Sequence, residues 1–267
     1  MKLVSFVIVT WPLLIIGGAA AADLHPIVEI QSGYLFGAIS DGKWIKADET
    51  AKLIGDETTY RVYGLTQALG DAKGDKPKPA DGPCEETLAV SLSPETEKGV
   101  IAIAAPWNAL PRKPQVTDPT QKTYVDAVRE FLRTKEIDQP KVKIDNILRV
   151  DLDGDGEDEV LISATNYFSK DNRVPMRSPA GSYSMVLLRR VVAGKVETQL
   201  VEGEFYPKVT GYNAPNAYKV IATLDLDGDG KLEVVVASSY YEGEAITIYR
   251  CEPKKKVEAL LSVGCGA

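Results

Sequence analysis

The chain has 267 residues, a formal net charge of -7 and 44% hydrophobic residues, which is the composition of a folded globule and not of a disordered or fibrous chain. Its mild acidity argues against nucleic acid and against anionic membranes, both of which recruit basic patches. With a single histidine and three cysteines, it holds no zinc-type spacing, and any Ser-His or Cys-His chemistry would have to use His25.

Met1-Lys2 gives a short positive start, residues 3–16 are apolar apart from Ser5, Thr10 and Pro12, and residues 17–22 are small. This is the layout of a secretory signal cut after Ala22. The competing reading is a membrane anchor, but the apolar run is about 14 residues long, against the ~20 that span a bilayer. The mature chain therefore begins at Asp23, and loss of Lys2 takes the formal charge from -7 to -8. Export permits disulfides. Cys251 and Cys265 fall on a hairpin formed by 245–252 and 256–263 around Pro253-Lys254. Pairing Glu252 with Lys255 puts Cys251 opposite Lys256 and leaves Cys265 beyond the other end. That register favours Cys84–Cys265 with Cys251 free. A chain with no bridge is the other reading, since spacing does not fix pairing.

The mature chain reads as mainly β with one prominent helix. Residues 33–38 and 44–47 flank Asp41-Gly42, a strong hairpin signal. One or two helical turns are expected at 47–54, and strands at 58–63, 87–92 and 100–104. The stretch 70–83 mixes Gly, Pro and charge without periodicity and reads as an exposed loop. Residues 106–119 carry four prolines and must be irregular or extended. Asp118 is a candidate cap and Pro119 a candidate first residue for a helix over 119–135. Its Tyr124, Val128, Phe131 and Leu132 recur at helical spacing, a face that packs on a sheet. Residues 23–140 thus form a β-rich N-terminal part, and 23–267 is expected to be one compact domain.

From residue 141 onward the chain repeats itself. The run 147–156 (ILRVDLDGDG) aligns with 221–230 (IATLDLDGDG), and 159–162 (EVLI) with 233–236 (EVVV), at an offset of 74 residues. Each copy then gives a β-branched strand, aromatics and a hairpin, at 184–191 with 195–201 and at 245–250 with 257–263. The hairpin at 33–47 shares a Gly-Lys turn with the first of these. A strand–loop–strand–hairpin unit used two or three times points to propeller-like blades or stacked antiparallel sheets.

The loops carry the chemistry. Asp151, Asp153 and Asp155 occupy positions 1, 3 and 5 of a tight turn, glycines at 4 and 6 permit it, Glu157 offers its carbonyl, and Glu159 adds a carboxylate. The second loop offers Asp225, Asp227, Asp229, the carbonyl of Lys231, and Glu233. Oxygen-only ligands suit a hard cation, and calcium takes about 6–8 of them at flexible angles, whereas magnesium demands an octahedron and retained waters. An EF-hand would need Glu at position 12, where Ile162 and Val236 stand inside β-branched runs. Acidic turns without a metal are the alternative, but two carboxylates 4 Å apart repel by about 4 kcal/mol at an effective dielectric of 20. Two calcium ions would bring the formal charge of the mature chain from -8 to -4, and they would act as structural staples whose binding energy becomes folding energy.

The run Asp-Leu-Asp-Gly-Asp-Gly-x-x-Glu followed by Val-Val-Val resembles the FG-GAP/VCBS repeats of exported bacterial proteins and the loops of integrin-type propellers. The resemblance covers roughly residues 141–267 and implies calcium on Asp151, Asp153, Asp155 and Glu159, and on Asp225, Asp227, Asp229 and Glu233. Glutamate at the ninth place departs from the Asp of integrin-type loops but keeps an oxygen ligand. At four strands a blade, the mature chain has room for about four blades, fewer than a seven-bladed ring.

No catalytic constellation is visible. Gly181-Ser182-Tyr183 lacks the flanks of a nucleophile elbow, and His25 sits on what is expected to be a flexible mature N-terminus. Tyr167, Phe168, Tyr183, Tyr240 and Tyr241 gather near the loops and strand ends, where they could bind a sugar or a protein; sheet packing is the bland alternative. The functional expectation is a secreted or periplasmic calcium-binding β-repeat protein that binds a protein or glycan or serves in the envelope. A carboxylate-pair glycan hydrolase is the alternative, because acids are plentiful.

Overall fold

The computed structural model describes residues 23–96, 98–167, 173–209 and 211–266. The expected signal at 1–22, and Phe168, lie outside these residues. The chain begins with β1 (Leu24–Glu29), β2 (Leu35–Ser40) and β3 (Lys43–Lys46), then one helical turn, α1 (Ala47–Thr50). β4 (Thr58–Tyr63), β5 (Ala68–Gly74), β6 (Lys78–Pro79), β7 (Leu88–Ala89), β8 (Leu92–Ser93) and β9 (Ile101–Ile103) follow. Seven of these strands form one antiparallel sheet in the order β3-β2-β1-β9-β4-β5-β8, and β6 pairs with β7. The Asp41-Gly42 turn is as expected, both residues having positive φ (48° and 71°), which matches the right-handed twist of the strands it joins.

Three local expectations need correction in this half. The stretch from residue 23, expected to be a flexible mature N-terminus, is instead ordered strand: β1 lies between β2 and β9, and Ile27 and Val28, adjacent in sequence, are both fully buried. A strand covered on both faces shows no polar–apolar alternation. Residues 70–83 are not simply an exposed loop, since 68–74 pair along β4. The pattern is concealed because the inward residues are small. A Cβ at Gly74 would stand 2.5 Å from the Tyr60 ring, so the aromatic partner fills the space that a side chain would otherwise take. The strand expected at 87–92 is broken into β7 and β8.

The irregular, proline-rich segment 104–114 leads to β10 (Gln115–Thr117) and α2 (Lys122–Arg133). The helix begins later than expected because Asp118 does not cap it. Its Oδ1 instead accepts from Thr120 N (2.8 Å) and Thr120 Oγ1 (2.7 Å), closing a local turn that competes with helix. The apolar face behaves as anticipated: Val128 and Leu132 are fully buried among Ile147, Ile162, Ala164, Tyr183, Met185 and Leu187, with Tyr124 and Phe131 packed alongside.

The two repeats follow. The first is β11 (Ile144–Val150), β12 (Glu159–Thr165), β13 (Ser182–Val192) and β14 (Lys195–Tyr206); the second is β15 (Ala217–Leu224), β16 (Glu233–Tyr240), β17 (Gly243–Arg250) and β18 (Glu258–Gly266). Each is a four-stranded antiparallel meander in chain order, the first extended by β10 at its edge, and among the described residues no sheet closes into a barrel. Leu148, Val150, Leu161, Val186 and Leu188 of the first meander share a core with Val220, Val234, Val236 and Tyr249 of the second. At about 1.5–3 kcal/mol per buried Val or Leu, this seam outweighs any single bond in the loops above it. A second core joins Ile27, Phe36, Ile101 and Ile103 to Leu224, Leu226, Val235 and Ile248, so the two halves of the chain share an interior.

Cys84 and Cys265 form a disulfide with Cα atoms 5.7 Å apart, and Cys251 is free and buried. The last hairpin has a different register from the expected one: Arg250 faces Glu258, a bulge follows between Ile248 and Tyr249, and Cys265 faces Glu244 inside the ladder. Cys251 still lies at the opposite end of that hairpin from Cys265. Among the described residues no helix is long and apolar enough to cross a membrane.

Candidate metal centres

Each acidic loop joins the first and second strands of its meander, and the two are built bond for bond alike. In the first, Asp151 accepts from Gly154 N (2.7 Å) and Gly156 N (3.1 Å), Asp153 from Asp155 N (3.3 Å), Asp155 from Glu157 N (2.8 Å), and Glu159 from Leu152 N (2.8 Å). In the second, Asp225 accepts from Gly228 N (2.8 Å) and Gly230 N (3.2 Å), Asp227 from Asp229 N (3.3 Å), Asp229 from Lys231 N (2.8 Å), and Glu233 from Leu226 N (3.0 Å). The turn passes through left-handed backbone at Gly154 and Gly156 (φ 82° and 92°) and at Gly228 and Gly230 (φ 75° and 85°). That is the reason for glycine at positions 4 and 6.

Carboxylate oxygens converge in both loops. Asp151, Asp153 and Glu159 form one set and Asp225, Asp227 and Asp229 the other, with the oxygens of each set within 4.8 Å of one another. Two oxygens on one calcium ion, each at about 2.3–2.6 Å from it, lie at most ~5 Å apart, so both sets fit the ion in size and in donor chemistry. Of the remaining candidates, Asp155 and Glu157 are exposed, while Glu233 is buried with Oε1 3.7 Å from Arg250 Nε. Lys231 directs Nζ to Glu252 (2.9 Å) and lies 3.8 Å from Asp229.

The local charge is only partly offset. Burial raises the pKa of Glu159, with Asp153 and Asp155 adding to the effect. Burial likewise raises that of Asp225, reinforced by Asp227 and Asp229. Glu233 is pushed up to about 8 by burial, then by Asp227. Arginines stand at equivalent places in the two meanders: Arg250 bonds Asp227 (2.5 Å), and Arg190 lowers the cost of charge on Glu159. Neither reverses the direction of the shifts, so the charged form of these carboxylates is costly in each loop, a cost that a cation would remove.

The sequence did not disclose the element that holds the loops together. Trp107 donates Nε1–H to the Asp225 carbonyl (2.9 Å), Asp225 N donates to the Ala109 carbonyl (2.8 Å), and Arg112 donates to carbonyls of both loops. These residues sit in the proline-rich segment, where no periodicity marks them.

The tyrosine candidates divide. Tyr167 and Tyr183 are interior residues. Tyr167 OH donates to the Asn216 carbonyl, and Tyr183 OH accepts from Lys143 N (2.8 Å) and donates to the Lys141 carbonyl (3.1 Å). Both are buried, so neither offers a ring to solvent. Tyr240 and Tyr241 are half-buried at the surface and, with the exposed Tyr212, form an edge-to-face cluster with centroids 5.5 and 6.0 Å apart. His25 is buried, with Nδ1 3.0 Å from the Ala104 carbonyl, Nε2 3.0 Å from Asp23 and its ring against Trp107. It is a packed core residue.

Outside the loops, Glu202 and Glu204 lie on one face of β14 beside a polar cavity of about 230 Å³ lined by Glu202, Asn216, Tyr218, Ser238, Thr247 and Tyr249. Glu204 accepts from Tyr206 OH (2.6 Å), Tyr218 OH (3.0 Å), Asn216 N and Asn216 Nδ2 (both 2.9 Å). Glu202 accepts from Tyr249 OH (2.7 Å) and Gly203 N (3.0 Å). A larger cleft of about 950 Å³ shares no lining residue with either loop. Comparisons with protein-family models, curated proteins and solved structures give no significant match.

Proposed function

We propose that the protein is an exported, calcium-stabilised β-repeat module of the FG-GAP/VCBS kind. The observation that carries this reading is the convergence of carboxylate oxygens in two loops with the same internal bonds. Asp151, Asp153 and Glu159 would hold one ion, and Asp225, Asp227 and Asp229 the other. Bound calcium would cancel the repulsion within each loop and fix the register of the strands on either side, so that binding adds to folding stability. Affinities of about 0.1–1 mM, typical of extracellular modules, suit a constant staple better than a sensor. The four-stranded meanders have the strand count and connectivity of propeller blades. The disulfide is compatible with an oxidising compartment, which supports a secreted or periplasmic location and the signal read at residues 1–22. The Tyr212–Tyr240–Tyr241 cluster is the surface best suited to anchor a protein or glycan partner.

For a glycan hydrolase, Glu202 and Glu204 on β14 are a candidate carboxylate pair outside the metal loops. Both carboxylates are already engaged by tyrosine hydroxyls and backbone or amide N–H groups of this chain, so the binding reading is preferred. The decisive experiment is thermal melting with EDTA, then calcium or magnesium add-back. EDTA should lower the melting temperature by several degrees, as expected when roughly 1–3 kcal/mol is removed, and calcium should restore it more fully than magnesium. An unchanged melting curve, with no metal in the purified protein, would sink the proposal.

A further inference from the structure

We infer that Arg112 is a positioning residue shared by the two metal centres, coupling them so that loading one loop strengthens binding at the other. The inference rests on reading both loops as cation sites. The Arg112 guanidinium spans the gap between them: Nε donates to the Asp151 carbonyl (2.5 Å), and one terminal nitrogen donates to the carbonyls of Leu152 (3.2 Å) and Gly230 (2.7 Å). The same segment grips the second loop again, through Trp107 and Ala109 on Asp225 and through the Trp107 ring, which lies 3.1 Å from where a Cβ on Gly228 would stand. A backbone bond from Leu232 N to the Leu152 carbonyl (2.7 Å) closes the arrangement. Positions 1 and 2 of the first loop and positions 1, 4 and 6 of the second are therefore fixed on one strap. Ordering either loop orders the strap, and less ordering cost remains for the second ion.

Arg112 uses carbonyl acceptors and, among the described residues, approaches one carboxylate, Asp151, at 3.8 Å, so the cluster oxygens stay available to a cation. Two effects then oppose each other in sign. A fixed positive charge beside a cation site weakens binding, so charge alone predicts that R112Q tightens calcium at both loops. Positioning predicts the opposite, a loss of about tenfold at both, within the usual range of coupling between sites.

Isothermal titration of the intact mature protein with calcium decides between them. The expected result is two sites in the wild type, both weakened in R112Q. R112K, which keeps the charge but cannot fork across the gap, should be weakened as well, and it serves if R112Q does not fold. Asp153→Ala, which disables the first loop without touching the strap, should weaken the second loop in the wild-type background and have little effect on it in the R112Q or R112K background. Equal or tighter binding in both arginine variants, or an effect of Asp153→Ala that is the same with and without Arg112, overturns the inference and leaves the metal reading standing. Absence of calcium binding by the wild type overturns both.

Discussion

The two acidic loops share every internal hydrogen bond but not their surroundings. In the second, Asp225 and Glu233 are buried, Trp107 covers Gly228, and Arg250 and Lys231 engage Asp227 and Asp229. In the first, residues 154–158 are exposed, and the nearby ion pair of Arg149 with Asp158 (3.4 Å) lies at the rim. The converging sets differ accordingly, with Glu159 completing the first and Asp229 the second. A nine-residue pattern thus dictates a turn, while the protein packed around that turn decides how much its carboxylates cost. The loop with more buried charge should depend more on its ion and on its backbone bonds.

The sharpest test of this difference is the pair Asp225→Ala and Asp151→Ala. Each removes the acceptor for two backbone N–H groups. A hydrogen bond to a charged acceptor contributes about 1.5–3 kcal/mol, least where water competes for the acceptor, and Asp225 is buried whereas Asp151 is half-buried. Urea denaturation in calcium should therefore show Asp225→Ala losing about 2–3 kcal/mol and Asp151→Ala no more than about 1 kcal/mol. Equal losses would mean that the loops are energetically alike and that burial does not separate them.

A smaller effect should appear with pH. In the metal-free protein the Glu233 carboxyl titrates near 8, raised by burial and by Asp227 from an ordinary 4.5. Between those values the folded state binds more protons than the unfolded state, so stability falls as pH rises through the interval. Calcium removes the cost by replacing the proton. The calcium-induced rise in melting temperature should consequently be larger at pH 8 than at pH 5.5, and Glu233→Gln should flatten that dependence more than Glu159→Gln does. A pH-independent calcium effect would break the link between burial and metal dependence.

The sequence disclosed whatever is local. The acidic loops and the Asp41-Gly42 turn depend on residues close together in the chain, and the repeat on matching residues along it, so these are readable from sequence. What was hidden depends on partners far away. Arg112 gives no local signal because its acceptors are carbonyls about 40 and 118 residues distant. The 68–74 strand is masked because Tyr60 occupies the room above Gly74. Tyr183 looked like a surface aromatic because no spacing rule announces that its hydroxyl will close on Lys141 and Lys143. The β1 strand was missed for the opposite reason: buried on both faces, it lacks the alternation that identifies a half-exposed strand.

The smallest expected effect concerns the seam between the repeats. Arg190, at the place in the first meander that Arg250 takes in the second, donates to the Cys251 carbonyl (2.8 Å) across the shared core and is itself buried. Burial pushes the Cys251 thiol up to about 12, which leaves almost no thiolate at pH 8, and the side chain is covered as well. In the native protein Cys251 should therefore react with a thiol reagent only as fast as the seam opens. Arg190→Met removes one bond but fills the site with apolar volume, and exchange of a buried charge for a well-packed hydrophobe is often neutral in overall stability. The expected outcome is a melting temperature within a few degrees of the wild type and labelling of Cys251 accelerated by about tenfold, since losing roughly 1.4 kcal/mol of local opening energy multiplies the open population by that factor. If labelling is unchanged, the seam is held by its hydrophobic contacts alone, and the two arginines differ in role as well as in partner: one neutralises a loop, the other is a tolerated passenger in the core.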